Sequence, residues 1–339
     1  YTTLFRSPEH FKMIIPKPTA TSSQNDINKY LTFPGMLSYL AGIWIINLNY
    51  WGCNQYITQR ALGADLQTAR NGILFAGMLK LLMPLIVMLP GIAAYVLYEN
   101  GHLPQLVGGK DGAYSAMLTF LPTGLKGLSV AALTAAIVAS LAGKVNSIST
   151  IYTLDVHKKY IQKSATDRAQ VNIGRYAVFA AMLLAVMFTW NDLLGIGGVG
   201  GFTYIQKYTG FISPGVFAMF FLGMFWKRTT GTAAIVGVIA GFLLSVLFNE
   251  FAPALFGNET LLYTAYANGK GGFEIPFHIC MGLSFVFTML LMIAISFAGP
   301  KVNPKAFELD TEMFKVKPQT TVLIVITLLI IFALYVKFW

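Results

Sequence analysis

Eight long apolar runs divide the chain, and short polar or basic stretches separate them. Each run has roughly 20 residues or more, which is the length that a helix needs to cross the hydrocarbon core of a bilayer. We therefore predict eight transmembrane spans, numbered one to eight, at 36–57, 72–98, 127–154, 173–194, 202–226, 230–249, 276–298 and 320–338. Residues 1–35 are polar and contain Pro16 and Pro18, which predicts a loop outside the membrane.

Span one, MLSYLAGIWIINLNYWGCNQYI, is unusual because its second half is polar. In a helix, Asn47, Tyr50, Trp51 and Asn54 would fall at i, i+3, i+4 and i+7, on one face. Amides beside aromatic rings suit a sugar, which offers hydroxyls at its edge and an apolar face. The alternative is that these residues only bond neighbouring helices. The pattern by itself leaves both interpretations open.

The composition supports a membrane protein, with 55% hydrophobic and only 11% charged residues. Soluble domains average about 25% charged residues. We predict an all-α fold, a polytopic membrane helical bundle embedded in the lipid bilayer. The formal net charge of +10 would suggest a nucleic-acid partner in a soluble chain, but here the basic residues lie in loops between spans. They indicate topology, and we expect no nucleic-acid partner.

The basic residues are unequally divided between the two sides of the predicted bundle. Thirteen follow spans one, three, five and seven: Arg60, Arg70, Lys158, Lys159, Lys163, Arg168, Arg175, Lys227, Arg228, Lys301, Lys305, Lys315 and Lys317. Eight lie on the opposite side: Arg6, Lys12, Lys17, Lys29, Lys110, Lys126, Lys270 and Lys337. The first side is therefore predicted to be cytoplasmic.

Three cations, Lys80, Lys144 and Lys207, lie inside predicted spans, where a charge needs a function or a partner. Lys80 is close enough to the cytoplasmic end of span two for its stem to reach partly toward water. Pro84, four residues later, cannot donate to the Lys80 carbonyl, so we expect a bend and a polar cavity beside the ammonium.

Span three combines a small-residue face with a polar border. Ala132, Ala135, Ala136, Ala139 and Gly143 share a face that allows close helix packing. Ser140, Lys144, Ser147 and Thr150 lie beside it at helical spacing. Their hydroxyls could hold a small cation that prefers oxygen ligands, or they could bond back to carbonyls of their own helix. Both interpretations remain open.

Span five begins GFTYIQKYTGFISPGVF and carries Gln206 and Lys207 just before Gly210 and Pro214. Pro214 cannot donate to the Gly210 carbonyl, so we predict a broken or hinged helix here. Broken helices with polar residues at membrane depth are typical of transporter binding sites. Lys207 could instead pack its stem and extend toward water.

Catalytic and metal-binding patterns are weak. The carboxylates Asp155, Asp192 and Glu250 lie at span ends, and the four histidines are scattered, so we do not expect an enzyme. Cys53 and Cys280 both lie in apolar segments and do not predict a disulfide framework. The chain begins at Tyr1 without an initiator Met, and we expect it to be part of a longer protein.

Four segments together resemble the solute:sodium symporter family, closest to its bacterial sodium/galactose and sodium/glucose members. They are NLNYWGCNQYITQRALGA, GMLKLLMPLIVMLPGIAAYV, AAIVASLAGKVNSISTIYTLDVHKKY and TYIQKYTGFISPGVFAMFFLGMFWKR. The resemblance implies a five-plus-five inverted repeat like that of the leucine transporter. It assigns 1–35 to an extracytoplasmic loop, 36–226 to the second repeat and 227–339 to three peripheral helices, with the first repeat absent.

The resemblance also implies roles for single residues. Asn47, Lys80 and Gln206 match the sugar-contacting asparagine, lysine and glutamine of the family, and Tyr50 matches its inner-gate tyrosine. The presence of all three sugar contacts favours a hexose over the other solutes that family members carry. The implied function is uptake of a glucose- or galactose-like sugar together with sodium, across a bacterial inner membrane. The alternatives are a symporter for a polyol or organic anion, and a membrane sensor on the same fold.

The sodium site matches the family only in part. The family places an alanine carbonyl and two serine hydroxyls on span three, and here the match is Ala136, Ala139 and Ser140, so one hydroxyl is lost. One turn later stands Lys144, where the sugar-transporting relatives carry an apolar residue. The resemblance thus implies sodium at Ala136 and Ser140, with proton coupling as the alternative if the Lys144 ammonium replaces the ion.

Overall fold

The structure, a computed structural model, describes residues 12–103, 112–190 and 201–339. In these ranges, eight helical segments are long and apolar enough to cross a membrane, which confirms the predicted count and the all-α class. Their bounds are Gln24–Cys53, Leu66–Glu99, Thr123–Ile161, Asp167–Thr189, Thr203–Phe225, Gly231–Phe256, Phe277–Phe297 and Pro318–Phe338. We keep the names span one to span eight for them.

Several spans are assembled from shorter helical pieces. Span one consists of α-helices Gln24–Thr32, Gly35–Leu37 and Ile43–Leu48 with π-helical turns Ser38–Gly42 and Asn49–Cys53. Span two consists of Leu66–Lys80, the π-helix Pro84–Met88 and Leu89–Glu99. Span three is Thr123–Thr150 followed by the π-helix Ile151–Ile161. Span six is Gly231–Val246, the π-helix Leu247–Phe251 and Ala252–Phe256.

Span four is a single helix, Asp167–Thr189, and span five is part of the helix Gly201–Phe225. Spans seven and eight are the single helices Phe277–Phe297 and Pro318–Phe338. Between spans, the described ranges contain three short helices: Gln55–Ala61, Ala113–Leu118 and the 3₁₀-helix Thr311–Phe314. Two short antiparallel strands, Tyr266–Ala267 and Phe273–Glu274, form a hairpin between spans six and seven.

Short polar side chains begin several of these helices. Thr166 and Thr230 accept hydrogen bonds from the backbone of Ala169 and Ala233, which satisfies amides that have no partner inside the helix. Asp65 does the same for span two, because it accepts from the backbone amides of Gln67 and Thr68. The Thr68 hydroxyl and amide hold the pKa of the Asp65 carboxyl below its usual value. Each of these helix starts coincides with the end of a polar loop.

The described chain forms two compact units. The smaller unit contains residues 59–64, 79–103 and 112–190 together with Gly201, and the larger unit contains 12–58, 65–78 and 202–339. Spans three and four therefore belong to the smaller unit, and spans one, five, six, seven and eight belong to the larger one. The proposed division into a repeat at 36–226 and peripheral helices at 227–339 stays a prediction.

Glycines allow the helices of the larger unit to touch backbone to backbone. A methyl group on Gly241 of span six would lie 2.5 Å from the Cα of Gly215 in span five. A methyl group on Gly282 of span seven would lie 2.8 Å from the Ala41 carbonyl oxygen in span one. These contacts bring the apolar core together, and it consists of Ile45, Phe217, Ala218, Leu222, Ala233, Phe285 and Met292. We call these close contacts the glycine seam.

Polar contacts join the ends of spans in a manner that fits the predicted alternation. At the start of span two, Gln67 Nε2 donates to Thr320 Oγ1 at the start of span eight, at 2.7 Å. At the end of span seven, the carbonyl oxygens of Ser296 and Phe297 accept from Arg228, which follows span five. All these residues lie on the side predicted to be cytoplasmic. On the other side, the Met13 amide donates to the Phe338 carbonyl oxygen.

The amino-terminal helix Gln24–Thr32 packs on the hairpin between spans six and seven. Gln24 Nε2 donates to the Ala267 carbonyl oxygen at 2.8 Å, and the rings of Tyr30 and Tyr266 meet edge to face at 5.4 Å. Burial, with Tyr30 adding to it, raises the pKa of Tyr266 to about 12. The amino-terminal segment is therefore an ordered cover over this end of the larger unit.

The glycine seam predicts a difference between two conservative substitutions. We expect Gly241→Ala to lower the free energy of unfolding by about 1–3 kcal/mol, because the backbone it meets cannot move aside. Gly223→Ala is the matched control, since nothing lies within 4 Å of a methyl group placed there. Thermal unfolding of the full-length protein in detergent micelles measures both. Equal stability of the two variants would contradict this role for the glycine seam.

Candidate functional site

Span one ends earlier than its apolar pattern predicts. Asn54 has extended backbone angles (φ −91, ψ 116), and a separate helix, Gln55–Ala61, follows it. The predicted end at residue 57 is therefore wrong by four residues. The π-helical turn Asn49–Cys53 also changes the helical register, because it holds more residues per turn than an α-helix. The prediction that Asn47, Tyr50, Trp51 and Asn54 share one straight helical face is therefore wrong. These residues instead lie close to the point in the chain where the helix ends.

Asn47 lies just before this break and is exposed. Its side-chain Nδ2 donates to the Ile43 carbonyl oxygen of its own helix at 2.7 Å. Its side-chain oxygen has no hydrogen-bond partner among the described residues. The carboxamide therefore retains an acceptor and a second N–H, which is the combination that a sugar hydroxyl can use.

Asn49, two residues later, makes the contact between helices. Its Nδ2 donates to Ser213 Oγ of span five at 3.1 Å, and Ser213 Oγ in turn donates to the Thr209 carbonyl oxygen at 2.9 Å. Ser213 is almost fully buried. One interpretation of the sequence was that the stripe residues bond neighbouring helices. In the structure, Asn49 makes such a bond, although it is not one of the stripe residues. No periodic pattern marks it, because the π-helical turn begins there.

Tyr50 connects the two sides of the break. Its hydroxyl is hydrogen-bonded to the hydroxyl of Tyr56, which belongs to the helix after Asn54. Its ring also meets Trp51 edge to face, with the centroids 5.8 Å apart. Sequence reasoning selected Tyr50 but missed Tyr56. A gate at Tyr50 remains a prediction, and its partner across the break is now identified.

Gln206 lies near the start of span five, half-buried, and its side chain makes no hydrogen bond within the described part of the chain. Its neighbour Lys207 does have a partner. Lys207 Nζ lies 3.5 Å from Glu250 Oε1, which belongs to the π-helix of span six, and their side chains are 24% and 46% exposed. Of the three cations predicted to lie inside spans, Lys207 is the one in the larger unit, and its partner is a carboxylate from the next span.

The predicted break in span five is wrong. The α-helix runs without interruption from Gly201 to Phe225 and includes Pro214. Close packing supports it on both sides of the proline: a methyl group on Gly210 would lie 3.2 Å from Met281 Cγ, and one on Gly215 would lie 3.1 Å from the Val238 carbonyl oxygen. Neighbouring helices therefore hold the segment helical despite the lost hydrogen bond. Movement about Gly210 and Pro214 stays a prediction.

In the smaller unit, Lys80 is the last residue of the helix Leu66–Lys80 and is exposed. The α-helix ends there. The Leu82 amide donates to the Leu79 carbonyl oxygen, three residues earlier instead of four, and a π-helix begins at Pro84. This interruption agrees with the bend expected from Pro84.

Ala136, Ser140 and Lys144 all lie on the helix Thr123–Thr150 and are exposed. The small-residue face predicted to pack closely, Ala132 to Ala139, is also exposed within the described ranges. Span four instead meets the other end of span three, where a methyl group on Gly174 would lie 3.2 Å from Thr153 Oγ1. Thr150 bonds back to the Asn146 carbonyl oxygen at 2.9 Å, as the structural alternative predicted for that residue. Cation binding at Ala136 and Ser140 stays a prediction.

Comparison with known proteins places these features in a family. The profile of the sodium:solute symporter family matches residues 7–241. The chain is 36% identical to the sodium/glucose cotransporter of Vibrio parahaemolyticus over an alignment of 349 residues. This alignment covers 98% of this chain and 58% of that protein.

Mammalian relatives match less of the chain. It is 33% identical over 253 residues to the sodium/myo-inositol cotransporter of Mus musculus, which covers 69% of this chain and 34% of that protein. It is 35% identical to the human sodium/myo-inositol cotransporter 2 over an alignment of 231 residues. This alignment covers 64% of this chain and 33% of that protein. The chain thus spans less than two thirds of the length of these relatives.

Asn47 and Asn49 of span one are predicted to differ in their effect on stability. We expect Asn49→Ala to lower the free energy of unfolding by about 0.6–1.7 kcal/mol, the range for hydrogen bonds between membrane helices. Asn47→Ala removes only a bond within its own helix at an exposed position, so its stability should stay near that of the parent. Chemical or thermal unfolding of both variants checks this. A larger loss for Asn47→Ala would reverse the assignment of the interhelical contact.

The Lys207–Glu250 ion pair predicts a modest cost for Glu250→Gln. We expect a loss of up to about 1 kcal/mol, because Lys207 is mostly shielded while Glu250 is nearly half exposed to screening. Glu312→Gln is the matched control, since it breaks an ion pair with Lys315 whose side chains are 65% and 72% exposed. Its midpoint of thermal unfolding should not move. The interpretation fails if the two variants unfold at the same temperature.

Proposed function

The chain belongs to the sodium:solute symporter family, and from that premise we propose that the full-length protein takes up a hexose together with sodium by alternating access. The observation that carries the proposal is the interrupted span one, where Asn47 uses one N–H of its carboxamide within its own helix and Tyr50, three residues later, bonds to Tyr56 across the break. Interrupted helices with polar residues at membrane depth are where transporters of this kind bind solutes. Because the chain spans only part of its relatives, the activity of the whole protein is a proposal.

In this proposal, Asn47, Lys80 and Gln206 hydrogen-bond to sugar hydroxyls. Asn47 and Gln206 offer both donors and acceptors, and Lys80 offers only donors. A hexose presents hydroxyls that can do either, so two amides and an ammonium suit it. Tyr50 covers the sugar ring and closes the path to the cytoplasm, and its bond to Tyr56 gives that closure a second anchor.

Sodium is the cotransported ion in this proposal, and the span-three part of its site consists of Ala136 and Ser140. A backbone carbonyl and a hydroxyl are suitable ligands for a hard cation. Lys144 lies one turn from Ser140 and is exposed, so its ammonium has space to extend away from the site. If it does not, the positive charge would compete with sodium, and coupling would be to protons.

A second candidate substrate is a polyol, and a specific finding favours it. Several relatives are sodium/myo-inositol cotransporters. Inositol carries a ring of hydroxyls like that of a hexose, so the same amides could bind it. An organic anion would pair with Lys80 instead of using the amides. A membrane sensor on the same fold would bind the solute without moving it.

We propose that the protein lies in a bacterial inner membrane, surrounded by lipid. We propose no nucleic-acid partner and no catalytic role for it. Residues 36–226 form the second of two inverted repeats and 227–339 the peripheral helices. Gly210 and Pro214 provide a hinge in span five. Coupling requires that sugar and ion each favour one conformational state over the other, because a ligand with equal affinity for both states shifts neither.

Uptake by the full-length protein in liposomes tests this function. Labelled glucose, galactose and myo-inositol are offered under a sodium gradient in one set and a proton gradient in another. We expect sodium-driven hexose uptake, with the KM for sugar raised about 5- to 150-fold in Asn47→Ala, since an unmatched polar contact costs about 1–3 kcal/mol. Asn25→Ala, at an exposed position of the helix Gln24–Thr32, is the control and should leave the KM unchanged. Ser140→Ala should weaken the dependence on sodium.

Other outcomes would redirect the proposal. Uptake that follows protons and is lost in Lys144→Met would mean that the lysine has replaced sodium. Preferential uptake of inositol with the same Asn47 dependence would identify a polyol carrier. Binding of a sugar without uptake under either gradient would favour a sensor. An unchanged KM in Asn47→Ala would overturn the sugar site.

A further inference from the structure

The segment between spans six and seven presents apolar side chains at the tip of an ordered loop. Leu261 is fully exposed and Leu262 is 51% exposed. At the end of span six, Leu255 and Phe256 are 64% and 59% exposed. We call these four residues the leucine tip. Grouped exposed apolar side chains mark protein or membrane interaction sites.

Hydrogen bonds hold the loop in this form. The amide of Ala265 donates to the Asn258 carbonyl oxygen at 2.7 Å, and the amide of Thr260 donates to the Tyr263 carbonyl oxygen at 2.9 Å. The Thr260 hydroxyl oxygen accepts from the amides of Leu262 and Tyr263 at 3.3 and 3.1 Å. The turn is therefore closed on both sides of Leu261, and the leucine cannot fold back without breaking it.

Tyr263 anchors the loop from below. Its hydroxyl lies 3.0 Å from the Ala252 carbonyl oxygen and 3.2 Å from that of Gly257. Its ring is buried in a cluster with Phe248, Ala252, Ala265, Ile275 and Cys280. Because Tyr263 is fixed inside, the two residues before it are held outside.

The position of the leucine tip identifies what covers it. Leu255 and Phe256 continue span six directly, and the span also exposes Ile235, Ile239 and Leu243 at helical spacing, an apolar surface suited to lipid. Leu261 follows Phe256 by five residues, so the tip lies just beyond the end of this span in the chain. We propose that the leucine tip inserts into the acyl chains of the adjacent leaflet, which is the outer one by the distribution of basic residues.

The charge of the segment indicates the kind of lipid. Between residues 251 and 265, Glu259 is the one ionisable residue besides Tyr263, and it is acidic. An anionic lipid surface would repel it, so a zwitterionic surface such as phosphatidylcholine is the expected partner. The neighbouring hairpin differs, because its turn carries Asn268 and Lys270, and the Asn268 side chain accepts from the amides of Lys270 and Gly272. That second tip is polar and should remain in water.

Site-specific fluorescence tests the proposal on the full-length protein in phosphatidylcholine liposomes. Leu261→Cys and, as the matched control, Lys270→Cys are each labelled from outside with an environment-sensitive maleimide dye, and the parent protein gives the background. We expect a blue-shifted emission for Leu261→Cys that is lost when a lipid with a nitroxide near its headgroup is included. The dye on Lys270→Cys should emit as in water and lose its emission to aqueous iodide.

Three results would overturn the proposal. In the first, the dye at 261 behaves like the dye at 270, so the tip is in water. In the second, it is blue-shifted but insensitive to nitroxide lipid, so protein covers it. In the third, Leu261→Cys forms a disulfide-linked dimer, so a second copy covers it. Leu262→Cys repeats the test if the first variant does not fold. The proposal does not depend on the transported solute, so its failure would leave the sugar assignment untouched.

Discussion

Close backbone approach at glycines is the interaction on which the larger unit depends. In a bilayer, lipid tails are as apolar as the helix surfaces, so burial of apolar area contributes little to helix association. Van der Waals contact at short range has to replace it, and a side chain at Gly241 or Gly282 would prevent that contact. Spans one, five, six and seven are therefore held at fixed distances by residues without side chains.

This fixed packing explains how span one tolerates its interruptions. Backbone groups that lose their helical partners are costly in lipid and persist only where protein or water covers them. The π-helical turns of span one and its end at Asn54 lie in the same segment that span seven contacts at Ala41 and span five contacts at Asn49. The break thus stands beside a rigid support, and the polar side chains of Asn47 and Tyr50 are presented from it.

Span three, in the smaller unit, differs from span one because most of its surface that is suited to helix contact is exposed. Its alanine face is exposed within the described ranges, and so are Ser140 and Lys144 of its polar border, whereas Ser147 is buried and Thr150 is half-buried. Small residues at helical spacing allow a second helix to approach, and Ser140 beside them provides an oxygen that such an approach would bring near a carbonyl. In the proposed transporter, the first repeat supplies that second helix. The sodium site would then exist only when both repeats are assembled.

Hydrophobic patterning was sufficient to predict the eight spans, since about 20 apolar residues between polar loops have no other stable solution in a bilayer. The sequence also identified the family and the polar character of span one. It could not locate the helix end at Asn54 or the partner Tyr56, because a π-helical turn changes the register that periodicity assumes.

The continuation of the span-five helix through Pro214 could not be predicted from sequence, because it depends on the neighbouring helices that pack against this segment. The partners Lys207–Glu250 and Asn49–Ser213 lie 43 and 164 residues apart. Such pairs depend on which helices become neighbours, and hydrophobic patterning along one chain does not encode that choice.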